Sequence, residues 1–367
     1  MNCLVAAPHS HGIREVARRV GREWEAMGHD VQYLLPDLPD DHPARVGGVT
    51  IGVPGIAAWW YRTLRRLART SEEYDLIWAH QPIAPVLPTR DPDLWDHVIV
   101  TFHTTERYRY RLAREGVYPA RRLPYHWLTK TLEASFYRRL ERLEGAGPHY
   151  TVVARQLREE IGGFGIDDAE YVPNGVFTPD RGREDFAPIR SEHGIPEDAT
   201  LIFNIGSLTP MKRPSLLART MGEVTARDES VYCVITGDGP LFDNVSEHAH
   251  ASERVRTIGR VSEAEKWRWF ADADLFVSLS AYEGMPVATL EALSFGLPVV
   301  LSDIPAHRQV IASHDATGET VRSAADVLAA IGRLRGQQAR ISLPEWNDVA
   351  ASYLRIAAEP TTSSDGR

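Results

Sequence analysis

Two glutamates, Glu283 and Glu291, lie eight residues apart in a segment patterned as strand, loop and helix. The apolar run ending at Ser280 predicts a buried strand, and Pro286 is well placed as the first residue of the following helix. Free backbone N–H groups at a helix N-terminus suit phosphates, and Glu291 could accept hydrogen bonds from sugar hydroxyls. This spacing is common by chance, however. Taken alone it favours a simpler interpretation, in which Glu283 offsets the helix dipole and Glu291 is solvated.

A basic pair, Lys212 and Arg213, stands between a predicted strand and a predicted helix in the segment FNIGSLTPMKRP, residues 203–214. A diphosphate leaving group needs positive charge as its bond breaks, and cations at the carboxyl end of a strand could supply it. The alternative is an exposed pair at a helix start, where cations oppose the helix dipole. That unfavourable placement, and the use here of one of only three lysines among 41 basic residues, favour the functional interpretation.

The composition excludes several classes of protein. The chain has 367 residues, 43% hydrophobic and 25% charged, which predicts two domains of an ordinary globular protein. A net charge of −9 argues against a whole molecule that binds nucleic acid. Two distant cysteines exclude a disulfide framework and a cysteine-based zinc site. With no apolar run of membrane-spanning length and no secretory signal pattern, we expect a cytoplasmic protein.

Strand and helix signals alternate in both halves of the chain, which predicts parallel sheets covered on both faces. We expect an α/β protein with two facing, doubly wound, Rossmann-like domains and a ligand site in the cleft between them. The predicted parts are an N-terminal α/β domain (1–175), a proline-rich linker (176–198), a C-terminal α/β domain (199–343), a last helix (344–358) and a disordered tail (359–367).

Several ordered motifs resemble the retaining glycosyltransferases of GT-B fold, family 4 (glycosyl transferases group 1). They are TFH (101–103), YVPNGVF (171–177), IGSLTPMKRP (205–214), TGDGP (236–240), IGRV (258–261) and EGMPVATLEALSFGLPVV (283–300). The resemblance spans about residues 1–358 and is strongest in the second half. It implies transfer of a sugar from a nucleoside-diphosphate sugar to a saccharide, glycolipid or small-molecule acceptor. It implies that the N-terminal domain (1–175) binds the acceptor, that the C-terminal domain (199–343) binds the nucleotide sugar, and that the last helix (344–358) returns to the N-terminal domain. It further implies that the anomeric configuration is retained and that neither a metal nor a cofactor is required.

The resemblance also assigns residues. Lys212 would hold the donor diphosphate, Glu291 the ribose hydroxyls and Glu283 the transferred sugar, while Gly239 and Arg260 would lie near the base. The complete set of implied donor-binding residues is Gly206, Lys212, Arg213, Gly239, Arg260, Glu283, Gly284, Met285, Pro286, Val287 and Glu291. The implied catalytic residues are Glu283, His103 and Lys212, with His103 facing the sugar and the acceptor. The alternative for His103 is a loop histidine whose ring only makes structural hydrogen bonds.

Two positions depart from the family pattern. Ser207 stands where the family often has an arginine, so one contact to the diphosphate is missing unless Arg213 or Arg260 replaces it. The first loop, residues 8–12, lacks the usual paired glycines. His9, Ser10 and Gly12 are the candidates there, and His9 or His11 could instead have a structural or surface role. These departures keep two alternatives open: a sugar-nucleotide-binding protein without transferase activity, and a sugar-nucleotide epimerase.

Residues 107–142 contain ten basic and three acidic residues with aromatic residues interleaved, and a similar basic patch lies at 59–69. Such helices can lie on an anionic membrane or hold an anionic acceptor such as a lipid-linked phosphate. The alternative is a solvated helix face with buried aromatic residues. Nucleic acid is less favoured, because no nucleic-acid-binding motif accompanies the patch. We therefore expect a peripheral association with the inner face of a membrane, or an anionic acceptor.

Overall fold

The computed structural model describes residues 1–7, 11–34, 45–46, 49–50, 73–80, 97–140, 148–176, 182–313, 316–339, 341 and 344–359. Contacts divide the chain into two compact units. The first comprises Met1–Arg45, Thr50–Gly175 and Pro344–Arg367, and the second comprises Val46–Val49 and Val176–Leu343.

The strands are β1 (Asn2–Ala6), β2 (Asp30–Leu34), β3 (Arg45–Val46), β4 (Val49–Thr50), β5 (Leu76–His80), β6 (Val98–Phe102), β7 (His149–Val152), β8 (Glu170–Tyr171), β9 (Thr200–Ile205), β10 (Val231–Thr236), β11 (Val255–Gly259), β12 (Leu275–Ser278), β13 (Val299–Ser302) and β14 (Gly318–Val321). The helices are α1 (His11–Ala26), α2 (Glu106–Arg114), α3 (Leu123–Leu140), α4 (Gln156–Gly162), α5 (Pro214–Arg227), α6 (Phe242–Ala249), α7 (Glu263–Asp272), α8 (Val287–Ser294), α9 (Pro305–Ser313), α10 (Ala324–Leu334) and α11 (Trp346–Ala358). Short 3₁₀ turns include Ala120–Arg122, Arg183–Asp185, Arg190–His193 and Pro210–Lys212.

The first unit has a six-stranded sheet in the order β2-β1-β5-β6-β7-β8, with every neighbouring pair parallel. All residues of β5 (LIWAH) and β6 (VIVTF) are buried. A parallel sheet covered on both faces needs such continuous apolar runs rather than alternating ones. The alternation of strands with helices along the sequence therefore corresponds to a doubly wound sheet, as predicted.

The second unit has the sheet order β11-β10-β9-β12-β13-β14, again with parallel pairs. From β9 the chain winds outward through β10 and β11, then returns to place β12 on the other side of β9. Ligands of doubly wound folds bind beyond the carboxyl ends of the strands at this reversal of strand order. The topology therefore points to the β9 and β12 ends as the place for a site.

Helix α11 completes the first unit although it comes last in the chain. The Trp24 indole on α1 donates to the Ala350 carbonyl at 3.0 Å, and the Tyr353 ring packs 4.4 Å from the Trp78 ring. Trp24, Trp78 and Tyr353 are all fully buried. The predicted return of the C-terminal helix to the N-terminal domain is confirmed.

The segment predicted as a linker, 176–198, groups instead with the second unit from Val176 onward. Ile189 and Ile195 are buried in its core, and the Arg190 guanidinium binds Asp272 at 2.8 Å. The interpretation as a linker was wrong for residues 182–198, because isolated apolar residues between prolines show no periodicity yet pack individually.

Some elements lay outside the sequence predictions. Helices α2, α6 and α9 and strand β14 were not predicted, because each is short, with at most nine residues. The basic patch at 59–69 and the predicted tail beyond Glu359 lie outside the described residues. Within the described part of the chain, no helix combines the length and the apolar character needed to cross a membrane.

Candidate active site

A pocket lies at the reversal of strand order in the second unit. It is lined by residues 204–208 at the end of β9, by Lys212, by Ser278 at the end of β12, by Ser280 and Glu283 beyond it, and by the start of α8. Lys212 and Glu283 are 71 residues apart in sequence. They meet because β9 and β12 are neighbours and their carboxyl ends share one edge of the sheet.

Lys212 and Glu283 form a direct ion pair. The ammonium lies 2.5 Å from Glu283 Oε2, and Ser280 Oγ donates to Oε1 at 2.7 Å. Burial raises the pKa of Glu283, but the charge of Lys212 and the hydrogen bonds from Lys212 and Ser280 outweigh it, so the pKa lies below its ordinary value. The carboxylate is therefore ionised at neutral pH.

The backbone around Lys212 holds its side chain at the pocket. Lys212 ends a 3₁₀ turn, and Arg213 adopts the left-handed conformation with φ of 49° before α5 begins at Pro214. The N–H of Ala281 donates to the carbonyl of Met211 at 2.8 Å and joins this turn to the β12 side. A non-glycine residue in this conformation is uncommon and persists where its surroundings impose it.

The TGDGP segment approaches the end of β9 backbone to backbone. Gly237 has φ of 137°, and a Cβ there would lie 1.8 Å from the Gly206 carbonyl oxygen. A Cβ on Gly239 would lie 2.6 Å from the Leu208 carbonyl oxygen. Both glycines are therefore required by close packing. The predicted contact of Gly239 with a base stays a prediction, whereas Gly206 lines the pocket and faces open space.

Helix α8 points its N-terminus at the pocket. It begins at Val287, and Pro286 is its N-cap with ψ of 80° rather than its first helical residue, which corrects the prediction. No side chain caps this end, and no acidic residue lies in the first turn. An uncapped helix N-terminus beside an ammonium group suits an anion such as a phosphate. Gly284 and Met285 form the loop that leads into this end.

Glu291 lies further along α8 and is buried, with 8% of its surface exposed. Its Oε1 binds the Lys266 ammonium at 2.9 Å, and Lys266 also binds the exposed Glu263 at 2.8 Å. The alternative of a solvated helix carboxylate is therefore wrong. Two of the three lysines thus pair with the two motif glutamates. Arg260 is exposed just after β11.

His103 follows β6 in the first unit and pairs with a histidine that sequence reasoning missed. Its Nε2 lies 2.8 Å from Nδ1 of His80, the last residue of β5. Burial lowers the pKa of both rings, that of His103 to about 3. Both are neutral at pH 7, so one ring donates to the other. A polar residue ending a buried parallel strand was the signal that could have identified His80.

The remaining candidates are less defined. His9 and Ser10 lie outside the described residues, and Gly12 lies in the first turn of α1 with open space where a side chain would project. Ser207 is exposed at the pocket. No group of three His, Cys, Asp or Glu side chains that could hold a metal ion occurs in the described residues.

Comparison with known proteins identifies two family matches. The sequence model for Glycosyltransferase Family 4 matches residues 10–178, and that for Glycosyl transferases group 1 matches residues 185–334. Together they span most of both units, and the second contains the pocket, both motif glutamates and Lys212.

Individual relatives agree with these matches. The chain is 25% identical over 371 residues to a phosphatidyl-myo-inositol mannosyltransferase of Mycolicibacterium smegmatis, covering 94% of this chain and 89% of the relative. It is 24% identical over 202 residues to an alpha-monoglucosyldiacylglycerol synthase of Streptococcus pneumoniae, covering 52% of this chain and 44% of that one. The crystal structure of WaaG, a glycosyltransferase involved in lipopolysaccharide biosynthesis, superposes with a TM-score of 0.65 at 16% identity, covering 97% of this chain and 94% of WaaG. The predicted GT-B fold is confirmed, and the chain belongs to the group 1 glycosyltransferases.

Proposed function

We propose that this glycosyltransferase moves a sugar from a nucleoside-diphosphate sugar to a lipid-linked or saccharide acceptor, with retention of the anomeric configuration. One observation carries the proposal. The Lys212–Glu283 ion pair and the uncapped N-terminus of α8 line a single pocket at the β9–β12 switch point. Positive charge for a diphosphate and a carboxylate for sugar hydroxyls therefore stand side by side.

The chemistry proposed for this pocket is leaving-group stabilisation and positioning. Lys212 and the α8 N-terminus would neutralise the diphosphate as the glycosidic bond breaks. The ionised Glu283 would accept hydrogen bonds from the sugar and orient it. His103, neutral and fixed by His80, is proposed to contact the sugar and the acceptor. We propose that no metal or other cofactor takes part.

A donor screen tests the proposal. We expect one of UDP-glucose, GDP-mannose, ADP-glucose and dTDP-glucose to raise the melting temperature, because a ligand that binds only the native state stabilises it. The product formed from that donor is then analysed by NMR, and retention predicts the anomeric configuration of the donor. Binding without turnover on any acceptor would favour a sugar-nucleotide-binding protein. Conversion of the donor itself would favour an epimerase, and an inverted product would contradict retention.

A lipid-linked acceptor is supported by the surface of α3. Four large hydrophobic residues on this one helix are 42–53% exposed, out of seven such residues in the described chain. The four are Tyr125, Trp127, Leu128 and Leu132. The same basic segment has exposed arginines at positions 107, 111, 114, 121, 122 and 138. Exposed apolar side chains together with exposed arginines suit an anionic bilayer, and we propose that the protein docks there on the cytoplasmic face.

Buried acids hold this surface in shape. Glu133 on α3 accepts the backbone N–H of Glu106 at 2.8 Å and so caps α2. Glu106 in turn binds Arg109 at 2.7 Å and accepts from the Thr129 hydroxyl at 2.7 Å. Arg109 in the basic segment therefore serves an internal ion pair. Among the aromatic residues of the segment, Phe136 and Tyr137 are buried. The alternative of buried aromatic residues holds for these two, but not for Tyr125 and Trp127.

Vesicle sedimentation tests the membrane proposal. We expect the protein to bind vesicles that contain phosphatidylglycerol, and binding to weaken with salt because the arginine contribution is screened. The double substitution Trp127→Ser, Leu128→Ser should lower binding by about tenfold or more, since it removes the largest exposed apolar groups. The control is Leu216→Ser, at the similarly exposed Leu216 of the second unit. Equal and negligible binding to anionic and neutral vesicles would contradict the proposal.

A further inference from the structure

A fully buried histidine, His307 on α9, lies behind the pocket and has no role in the mechanism above. Its Nδ1 lies 2.9 Å from the carbonyl oxygen of Ser302. Because a carbonyl oxygen only accepts, Nδ1 carries the proton in the neutral ring. Nε2 then presents a lone pair, and it makes no hydrogen bond although it is buried. An unpaired buried polar atom in a native structure requires an explanation.

Two serines connect His307 to Glu283. Ser302 Oγ lies 3.1 Å from His307 Nδ1 and donates to the carbonyl oxygen of Ser280 at 2.6 Å. Ser280 Oγ donates to Glu283 Oε1 at 2.7 Å. The histidine ring, the end of β13 and the loop beyond β12 are thus joined to the carboxylate that faces the pocket.

Two site charges of opposite sign act on the ring. Glu283 favours the imidazolium and Lys212 opposes it, while burial lowers the pKa of His307 below its ordinary value. The nearby Asp303 is occupied by other partners, since its carboxylate binds Arg308 and Arg322. His307 is therefore neutral in the free protein, where Lys212 already balances Glu283.

Donor binding changes this balance. If Lys212 serves the diphosphate, as the proposed function requires, the buried Glu283 shares or loses its compensating cation, and the diphosphate adds negative charge. We infer that His307 takes up a proton from solvent at Nε2 when the donor binds, and so replaces the positive charge that Lys212 withdraws from Glu283. The proton comes from the bulk solution, and no other bond is made or broken. His307 acts as a positioning residue, because it reaches the pocket only through the serines and Glu283.

Calorimetry measures this proton directly. The probe is whichever of UDP-glucose, GDP-mannose, ADP-glucose and dTDP-glucose raises the melting temperature most, because an intact sugar diphosphate has no group that titrates near neutral pH. Titrations at about pH 7 in PIPES and in Tris, which differ in ionisation heat, give the number of protons taken up. We expect between about 0.3 and one proton for the wild type.

The pH dependence has a definite sign. A pKa that is low in the free protein and higher in the complex makes binding tighter as the pH falls, by up to about tenfold per pH unit while the proton is being taken up. His307→Asn keeps an N–H for Ser302 but cannot bind a proton, so its affinity should be flat between about pH 6 and 8.5. His307→Gln is the second variant in case the first does not fold.

The outcomes separate this inference from the proposed function. Tight donor binding without proton uptake in the wild type, or with unchanged uptake in the variants, would overturn the role of His307 and leave the proposed function intact. No stabilisation by any sugar nucleotide would overturn both. Loss of uptake in the variants together with a flat pH profile supports the inference, because a purely structural histidine would not change the proton count.

Discussion

Replacing Lys212 by methionine is expected to lower kcat/KM by about 10³-fold while the protein remains folded. The ammonium is the cation that the pocket directs at the expected position of the diphosphate. Removal of one preorganised donor to developing negative charge typically costs 10²- to 10³-fold, and here a full charge is lost as well. The measurement is steady-state turnover with the donor found in the thermal screen. Arg219→Met, at an exposed position on α5, is the matched control and should be near wild type.

The same substitution should destabilise the protein by about 1–3 kcal/mol at pH 7. It leaves the Glu283 carboxylate buried without its cation, which costs less than in a fully buried pair because the Lys212 side chain is 30% exposed. In the wild type the lowered pKa of Glu283 stabilises the fold above the ordinary carboxyl pKa, and this stabilisation is lost as the pH falls. In the variant, burial raises the pKa of Glu283. The difference in stability should therefore narrow from pH 7 towards pH 4, as chemical denaturation would show.

A double variant separates the two roles of Lys212. Lys212→Met combined with Glu283→Gln removes both charges and should recover most of the lost stability without recovering activity. Near-normal turnover in Lys212→Met would show that the proposed diphosphate site is wrong. Recovery of activity in the double variant would show that Lys212 acts only by balancing Glu283.

Replacing Glu291 by alanine is expected to lower kcat/KM by about 10²-fold, mainly through a higher KM for the donor. If Glu291 holds the ribose hydroxyls of the donor, as the family resemblance implies, its buried carboxylate contributes to donor affinity more than to the chemical step. Its loss also leaves Lys266 without its buried partner. Steady-state turnover measured against donor concentration gives both kcat and KM.

Glu263→Ala provides the control for Glu291. Glu263 binds the same ammonium at 2.8 Å, but its side chain is 65% exposed, so its removal should have little effect. If the donor is a ribonucleotide sugar, its 2′-deoxy form sharpens the test, since Glu291→Ala should weaken binding of the deoxy donor less than binding of the natural one. An equal loss for both donors would contradict a contact between Glu291 and the 2′-hydroxyl.

Motif order and end-of-strand position made much of the site predictable. Lys212 and Glu283 each follow a buried strand, and in parallel sheets the residues beyond the carboxyl ends are the ones that meet ligands. The sequence places Glu291 on a helix but does not predict that its side chain is buried. Its ion pair with Lys266 forms only because α7 packs against α8. The same limit applies to His80, because its partner His103 follows a different strand.

The sequence by itself determined the alternation of strands and helices, the two parallel sheets, the family and the return of the C-terminal helix, because these follow from local apolar patterns and ordered motifs. Only the tertiary structure decided which polar groups pair. The contacts Lys212–Glu283, Lys266–Glu291 and His80–His103 join residues 71, 25 and 23 positions apart. Strand order and helix packing set those contacts, because the two partners of each pair come from separate elements that only folding brings together.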